Sequence, residues 1–473
     1  MTASSLTVPR PSARAAPGRR SRTALWAAGV AALCVVAGTA AGAMPLAVAG
    51  AVGVAACVTA FARWPMYVLY AILLVRASIA VPGNVGPIGW AIVAGGGLAL
   101  VLAQRRLPAT RVAAPFLGLL IVGLVSVSYA PDAGEALRTM LRLAALFILF
   151  VVAALSVRTS LDFRRLVAVV LLSSVVPIGF GVWQIVTGTL TERQGVLAAV
   201  GTFEFANGYA LYLLLIIALG LVALFEVRSP TARVVLAGGL ALALLCFGFT
   251  FARVGWIGLV IVLGLLAILQ YRRLIAAAVL IGIVAAVAVP SSVGIIQERF
   301  SDLSESSPRF SENSLSWRLE NWERMVPYGV ERPVLGNGLA SFQPLVVGEF
   351  GALAGAFVEK AEEGPPRYLG ASAHNDFVKL FVELGLAGPL LWLTALVGLA
   401  TLLHRARSIP ELRGYATALF AFAVALIPMS VGDSQQDYVE VMYYVMAVCG
   451  GLLGAAHHLG GEGDSAGASG PVG

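Results

Sequence analysis

Of the four histidines, one stands where chemistry could happen. His404, His457 and His458 fall at the expected ends of apolar helices and read as interfacial filler. His374 sits instead where a long polar loop gives way to an apolar stretch, in Ala373-His374-Asn375-Asp376. An ordinary imidazole titrates near ~6.5, so it can take or give a proton at neutral pH. Beyond it runs a polar stripe, Asn375, Asp376, Lys379 and Glu383, whose spacing puts these side chains on one helical face. Polar groups entering a membrane bundle usually face its interior or a water-filled cavity. The alternative is a structural ion-pair seam. Two arginines complete the set. Arg253 interrupts the apolar stretch Phe249–Trp256, and Arg318 lies in Ser316-Trp317-Arg318-Leu319-Glu320-Asn321-Trp322. Each has a plainer reading, a snorkelling side chain for Arg253 and a solvated charge for Arg318. Taken together, a proton acceptor and two fixed cations suit attack on a phosphate-linked or anhydride-linked substrate. Guanidinium binds phosphate oxygens through paired hydrogen bonds and steadies charge on a departing diphosphate. Arg193, Arg299, Arg309 and Arg324 are weaker candidates, and Arg76 is left open.

The elements that must position these groups are membrane helices. The chain has 473 residues, 59% hydrophobic and only 12% charged, against about 25% charged in an ordinary soluble domain. Its continuous apolar runs have the length of roughly 20 residues that a helix needs to cross the hydrocarbon core. Expected spans are 24–43, 45–62, 66–80, 87–103, 113–130, 141–157, 166–187, 208–226, 232–251, 254–270, 274–292, 384–402, 414–431 and 439–457. The fold class is therefore all-α, a polytopic membrane bundle of about 12–14 helices with one long, partly helical extracytoplasmic loop. The divisions are a basic tail 1–23, an N-terminal bundle 24–292, the loop 293–373, C-terminal helices 374–457 and a disordered Gly- and Ser-rich tail 458–473. Ala41-Gly42-Ala43 resembles a cleavage site after a signal peptide, but so many later spans favour an uncleaved first helix.

Arginine placement orients the bundle. With the N-terminus inside, alternation puts 19 arginines on the inner side and leaves Arg138, Arg142, Arg193 and Arg253 for the short outer loops and helix ends. The net charge of +7 is thus an inner-leaflet effect and no sign of nucleic-acid binding. The same parity puts 293–373 outside, with His374, Arg253 and Arg318 at one interface. That loop carries Trp317, Trp322, Tyr328, Phe342, Phe350, Phe357 and Tyr368 among its charges and reads as a small folded cap. An amphipathic helix is expected over 315–328, then a turn at Pro333, Gly336 and Gly338, then a second helix over about 350–362 ending at Gly364-Pro365-Pro366. Cys34, Cys57, Cys246 and Cys449 all lie in expected spans, so no disulfide framework or zinc spacing follows. The outer side shows no carboxylate-rich cage or Cys/His cluster, so neither a metal nor another cofactor is required.

The stretch Ala373–Gly388 resembles the signature of the O-antigen ligase and O-antigen polymerase superfamily. Arg318 with Trp322, followed by Pro333-Val334-Leu335-Gly336-Asn337-Gly338 and Phe342, resembles the same family's loop. Thr250–Trp256 resembles its Ser-Arg helix boundary, and Gly201–Asn207 its Pro-Asn motif, with Ala206 where proline is usual. The resemblance covers about 200–400 and implies an inverting, metal-independent glycosyltransferase of the bacterial inner or plasma membrane. Its donor would be an undecaprenyl diphosphate-linked glycan, its acceptor a glycan, lipid or protein hydroxyl, and its surroundings membrane lipids. By the same resemblance His374 would be the base, Arg253 and Arg318 would bind the diphosphate, and Asn207, Asp376 and Glu383 would orient these groups. With only Lys360 and Lys379 against abundant Ala, Val, Gly and Arg, the composition fits a GC-rich bacterial genome. The competing class is a transporter or polysaccharide exporter. It explains many helices and a polar stripe, but not a long outer cap followed by a histidine at the point of membrane re-entry.

Overall fold

The computed structural model describes residues 59–60, 63–78, 110–193, 196–273, 315–350, 358–359, 367–368 and 372–467. The expected spans 24–43, 87–103 and 274–292, and most of 45–62, lie outside the described residues. So do the loop candidates Arg299, Arg309 and Phe357. Everything below concerns the unit that begins at Ala60.

Within it the chain is helical. In order come α1 (Pro65–Arg76), α2 (Thr110–Ser126), α3 (Ala133–Ser156), α4 (Ser160–Ser173) and α5 (Val175–Thr187). A small antiparallel hairpin follows, β1 (Thr191–Arg193) with β2 (Val196–Ala198). Next are α6 (Ala206–Glu226), α7 (Pro230–Gly248) and α8 (Arg253–Leu269). Then come α9 (Leu315–Glu331), α10 (Phe342–Phe350), and the strand pair β3 (Val358–Glu359) and β4 (Arg367–Tyr368). The chain closes with α11 (Asp376–Leu384), α12 (Ala387–Ala406), α13 (Arg413–Gly432) and α14 (Val439–Gly467). Among the described residues, seven segments are long and apolar enough to cross a membrane, and α1, α2 and α8 are shorter apolar helices. The chain is a multi-pass membrane protein of the all-α class.

Burial separates centre from rim. The apolar windows of α6, α13 and α14 are 78%, 72% and 83% buried, whereas that of α7 is 22% buried. Helices apolar all round with so little side-chain cover have lipid for a neighbour. The centre is tight because small residues allow close approach. A Cβ on Gly450 or Gly454 of α14 would lie 2.2 or 2.3 Å from the carbonyl oxygen of Phe150 or Ala154 on α3.

Three expectations need correction. The apolar run 384–402 is not one helix with the polar stripe. Gly385 breaks it with φ +64°, and α11 and α12 are separate. The break is forced by the loop docking there, since Leu386 N–H donates to Pro333 O at 2.8 Å. Side chains on Gly336 and Gly385 would collide with that backbone, at 2.4 Å and 2.5 Å. The second cap helix runs over Phe342–Phe350, ahead of the 350–362 expected for it. Val358–Glu359 instead pairs as a strand with Arg367–Tyr368. Finally, α14 continues to Gly467, beyond the expected end at 457.

The cap has its own apolar core. Met325, Phe342, Val346, Phe350, Ala373 and Val382 are buried together, with Tyr328 and Val378 against them. This core ties α9, α10 and α11 to the residue just before His374.

Candidate functional site

His374 is pinned from both sides. On its N-terminal side, Trp322 Nε1–H donates to Ala373 O at 2.7 Å and Asn321 Nδ2–H to Ser372 O at 3.3 Å. Arg318, Asn321 and Trp322 are spaced i, i+3 and i+4, so one face of α9 supplies all three. On the other side Asn375 caps α11, its side chain accepting from Phe377 and Val378 N–H at 2.9 and 3.1 Å. Between these clamps His374 has φ +46°, in the left-handed region that a residue with a Cβ seldom occupies. Phe251, two residues before Arg253, has φ +49°. Such backbone persists only where the surroundings over-determine it, and it concentrates at functional sites.

The imidazole meets a carboxylate from a distant segment. His374 Nδ1 lies 3.0 Å from Asp433 Oδ1. Asp433 follows the last residue of α13 and is 2% exposed, with His374 at 16%. Its Oδ2 accepts from Asn207 Nδ2 at 2.8 Å and from the Tyr438 hydroxyl at 2.7 Å, and its Oδ1 from Ser434 N–H at 3.0 Å. Burial alone would push this carboxyl up. The bonds from His374 and Tyr438 and the charge of Arg318 outweigh burial and hold it below the ordinary aspartate range. An ionised carboxylate can only accept, so His374 Nδ1 carries the proton and Nε2 of the neutral ring is the acceptor. The geometry is that of a base oriented by an acid.

Arg318 reaches the same corner. Its Nη1 donates to Gly432 O at 2.6 Å, while its Nε is buried with no hydrogen-bond partner among the described residues. Arg253 opens α8, and the next residue, Val254, packs on Gly432, where a Cβ would come within 2.9 Å of Val254 Cγ2. Two cations thus belong to elements that touch the glycine preceding Asp433.

The stripe on α11 does different work. Asp376 accepts from the backbone N–H of Gln435 and Gln436 at 3.2 and 3.4 Å, holding the turn that carries Asp433. Lys379 pairs with Asp437 of that turn. Glu383 accepts from Phe342 N–H at 3.4 Å at the start of α10, within the cap. Asn207 therefore touches the His–Asp pair directly, Asp376 supports it through backbone, and Glu383 bonds the cap instead.

Sequence reasoning missed Asp433, Tyr438 and Asn321. The signal was present in the polar run Gly432–Tyr438 between two apolar spans, which parity puts on the same side as His374. Asn321 lies one helical turn from Arg318.

Residues 238–393, about a third of the chain, match the family model described as O-antigen ligase. The match includes Arg253, Arg318 and His374 and stops short of Asn207 and Asp433 on either side. No curated protein matches the chain. Over this stretch the chain is similar to the O-antigen ligase family.

Proposed function

We propose that the protein transfers a glycan from an undecaprenyl diphosphate carrier to an acceptor hydroxyl at the outer face of the bacterial inner membrane. The observation that carries this reading is the His374–Asp433 pair beside Arg318. The acceptor oxygen attacks the anomeric carbon from the face opposite the diphosphate. A carbon–oxygen bond forms there as the bond to the carrier phosphate breaks. The hydroxyl proton passes to His374 Nε2, and the diphosphate leaves with the bonding electrons. One displacement inverts the anomeric centre. Arg318 and Arg253 hold the charge that develops on the leaving diphosphate, so protein cations carry the role a metal would otherwise fill. A transporter has no need of a base oriented by an acid next to cations.

The test incubates purified protein with a carrier diphosphate-linked oligosaccharide and two acceptors, a lipid-linked core sugar and a second carrier-linked glycan. Product with either acceptor supports transfer. Carrier turnover with neither, together with movement of the intact glycan across a vesicle, would favour the exporter. In the same assay Arg318→Ala and Arg253→Ala should each lower turnover by about 10²–10³-fold, the scale for removing one charge-stabilising donor. Lysine should rescue only in part, because it lacks the planar paired contact. Unchanged turnover in both alanine variants would remove these residues from the diphosphate site.

Orientation has its own check. In a background without native cysteines, single cysteines at Ser304 or Gly355 should react with an impermeant thiol reagent applied outside, and those at Gln104 or Ser408 should not. The reverse pattern would turn His374 toward the cytoplasm and end the proposal.

A further inference from the structure

At the other end of the helices lies a cationic cavity that glycan transfer does not use. It is walled by Leu269 and Gln270 at the end of α8, by His404, Arg405 and Arg407 at the end of α12, and by Arg413 opening α13. Helix α12 spans 20 residues, roughly 30 Å, and begins shortly after His374, so the cavity is a membrane's depth from the site above. Inner-side arginines are expected for topology alone, and three features set these apart. Two other arginines at this end are paired, Arg164 with Glu226 at 3.1 Å and Arg165 with Asp162 at 3.9 Å. Among the described residues Arg405, Arg407 and Arg413 form no ion pair, and no carboxylate lines the cavity. Arg407 and Arg413 are also held in place: Arg407 Nε donates to Thr417 Oγ1 at 3.1 Å, and Nη1 lies 3.0 Å from His404 Nδ1. The Arg407 guanidinium stands 5.9 Å from the Phe420 ring centre, and Arg413 Nε donates to Arg407 O at 3.2 Å. Held cations with no acid of their own want an anion.

We infer that this cavity binds the phosphate headgroup of an anionic phospholipid of the inner leaflet. A lipid suits it better than a soluble phosphate because the cavity opens at the helix ends, at headgroup depth, beside apolar surface. Ile268 on α8 is 66% exposed there and offers a wall for an acyl chain. Basic pockets between membrane helices recognise headgroups in this way, and the attraction is additive over cations.

The test uses full-length protein in nanodiscs of equimolar phosphatidylglycerol and phosphatidylcholine, with lipid retained after release counted by native mass spectrometry. Wild type should retain phosphatidylglycerol preferentially. Arg407→Gln with Arg413→Gln should cut that preference by about fivefold or more for each cation removed. Ser408→Glu, which adds an acid at an exposed rim position without disturbing the arginines, should do the same. His374→Ala should keep the preference, which separates this inference from glycan transfer. Equal retention of both lipids by wild type, or full preference in both the Gln and the Glu variants, would overturn it. Displacement of the lipid by soluble glycerol phosphate would assign the cavity to a soluble anion and overturn it as well.

Discussion

Replacement of His374 by alanine is expected to lower glycan transfer by about 10²–10⁴-fold, the contribution of a positioned general base, while binding of the carrier lipid is largely kept. The two effects separate because the arginines that would bind the diphosphate are anchored independently of the imidazole, Arg318 on Gly432 O and Arg253 at the start of α8. The backbone at 374 should tolerate the change, since Ala373 and Asn375 hold it through Trp322 and the α11 cap. The measurement is transfer by the purified variant, read beside its elution profile and melting temperature. Near-wild-type transfer by folded variant would make His374 structural and require another base. His374→Gln adds a control, because glutamine can hydrogen-bond Asp433 but cannot accept a proton at neutral pH. It should be as inactive as alanine and melt closer to wild type.

The sequence made the fold class legible because continuous apolar runs and arginine placement are strong signals, and bilayer thickness turns run length into a helix. Ten of its expected spans fall on described helices, although the one at 166–187 merges α4 and α5. The break between α11 and α12 was hidden because Gly385 lies within an apolar run, and only the docking of Pro333 and Gly336 against it forces the turn. The site was legible in part. His374 and Arg318 stood out as polar groups at a membrane boundary, and the structure brings both to the Gly432–Asp433 corner. Asp433 did not stand out, because its importance lies in a partner 59 residues away, a pairing that no local spacing encodes. Asp376 shows the converse. Its neighbour relation to His374 in sequence suggested direct service, yet its carboxylate bonds the backbone of the 435–436 turn.

Asp433→Asn is the sharper test of the mechanism, because asparagine keeps the shape of the side chain and changes only what it can accept. The carboxylate accepts the Nδ1 proton of His374 and so leaves Nε2 as the basic nitrogen. An asparagine amide turned toward the ring would donate to Nδ1, move the proton to Nε2 and leave no base facing the acceptor. Turned the other way, it would present N–H groups to Asn207 and Tyr438, which now donate to Oδ2. Either arrangement is costly, and transfer should fall by about 10²–10⁴-fold, as expected when a catalytic histidine is held in the wrong tautomer. The loss should appear in kcat more than in KM, since Asp433 touches the base and not the proposed diphosphate site. Asp433 is held below the ordinary aspartate range, so its carboxylate is ionised at neutral pH, and asparagine removes that charge as well as an acceptor. A purely structural Asp433 would lower melting temperature and active fraction together and leave the kcat of the folded fraction unchanged. Asn207→Ala provides the graded comparison, because it removes one of several donors to Asp433 and keeps the carboxylate. Its loss should be smaller than that of Asp433→Asn, with the tautomer preserved. Full turnover by Asp433→Asn would reduce the His374–Asp433 contact to packing at the end of α13.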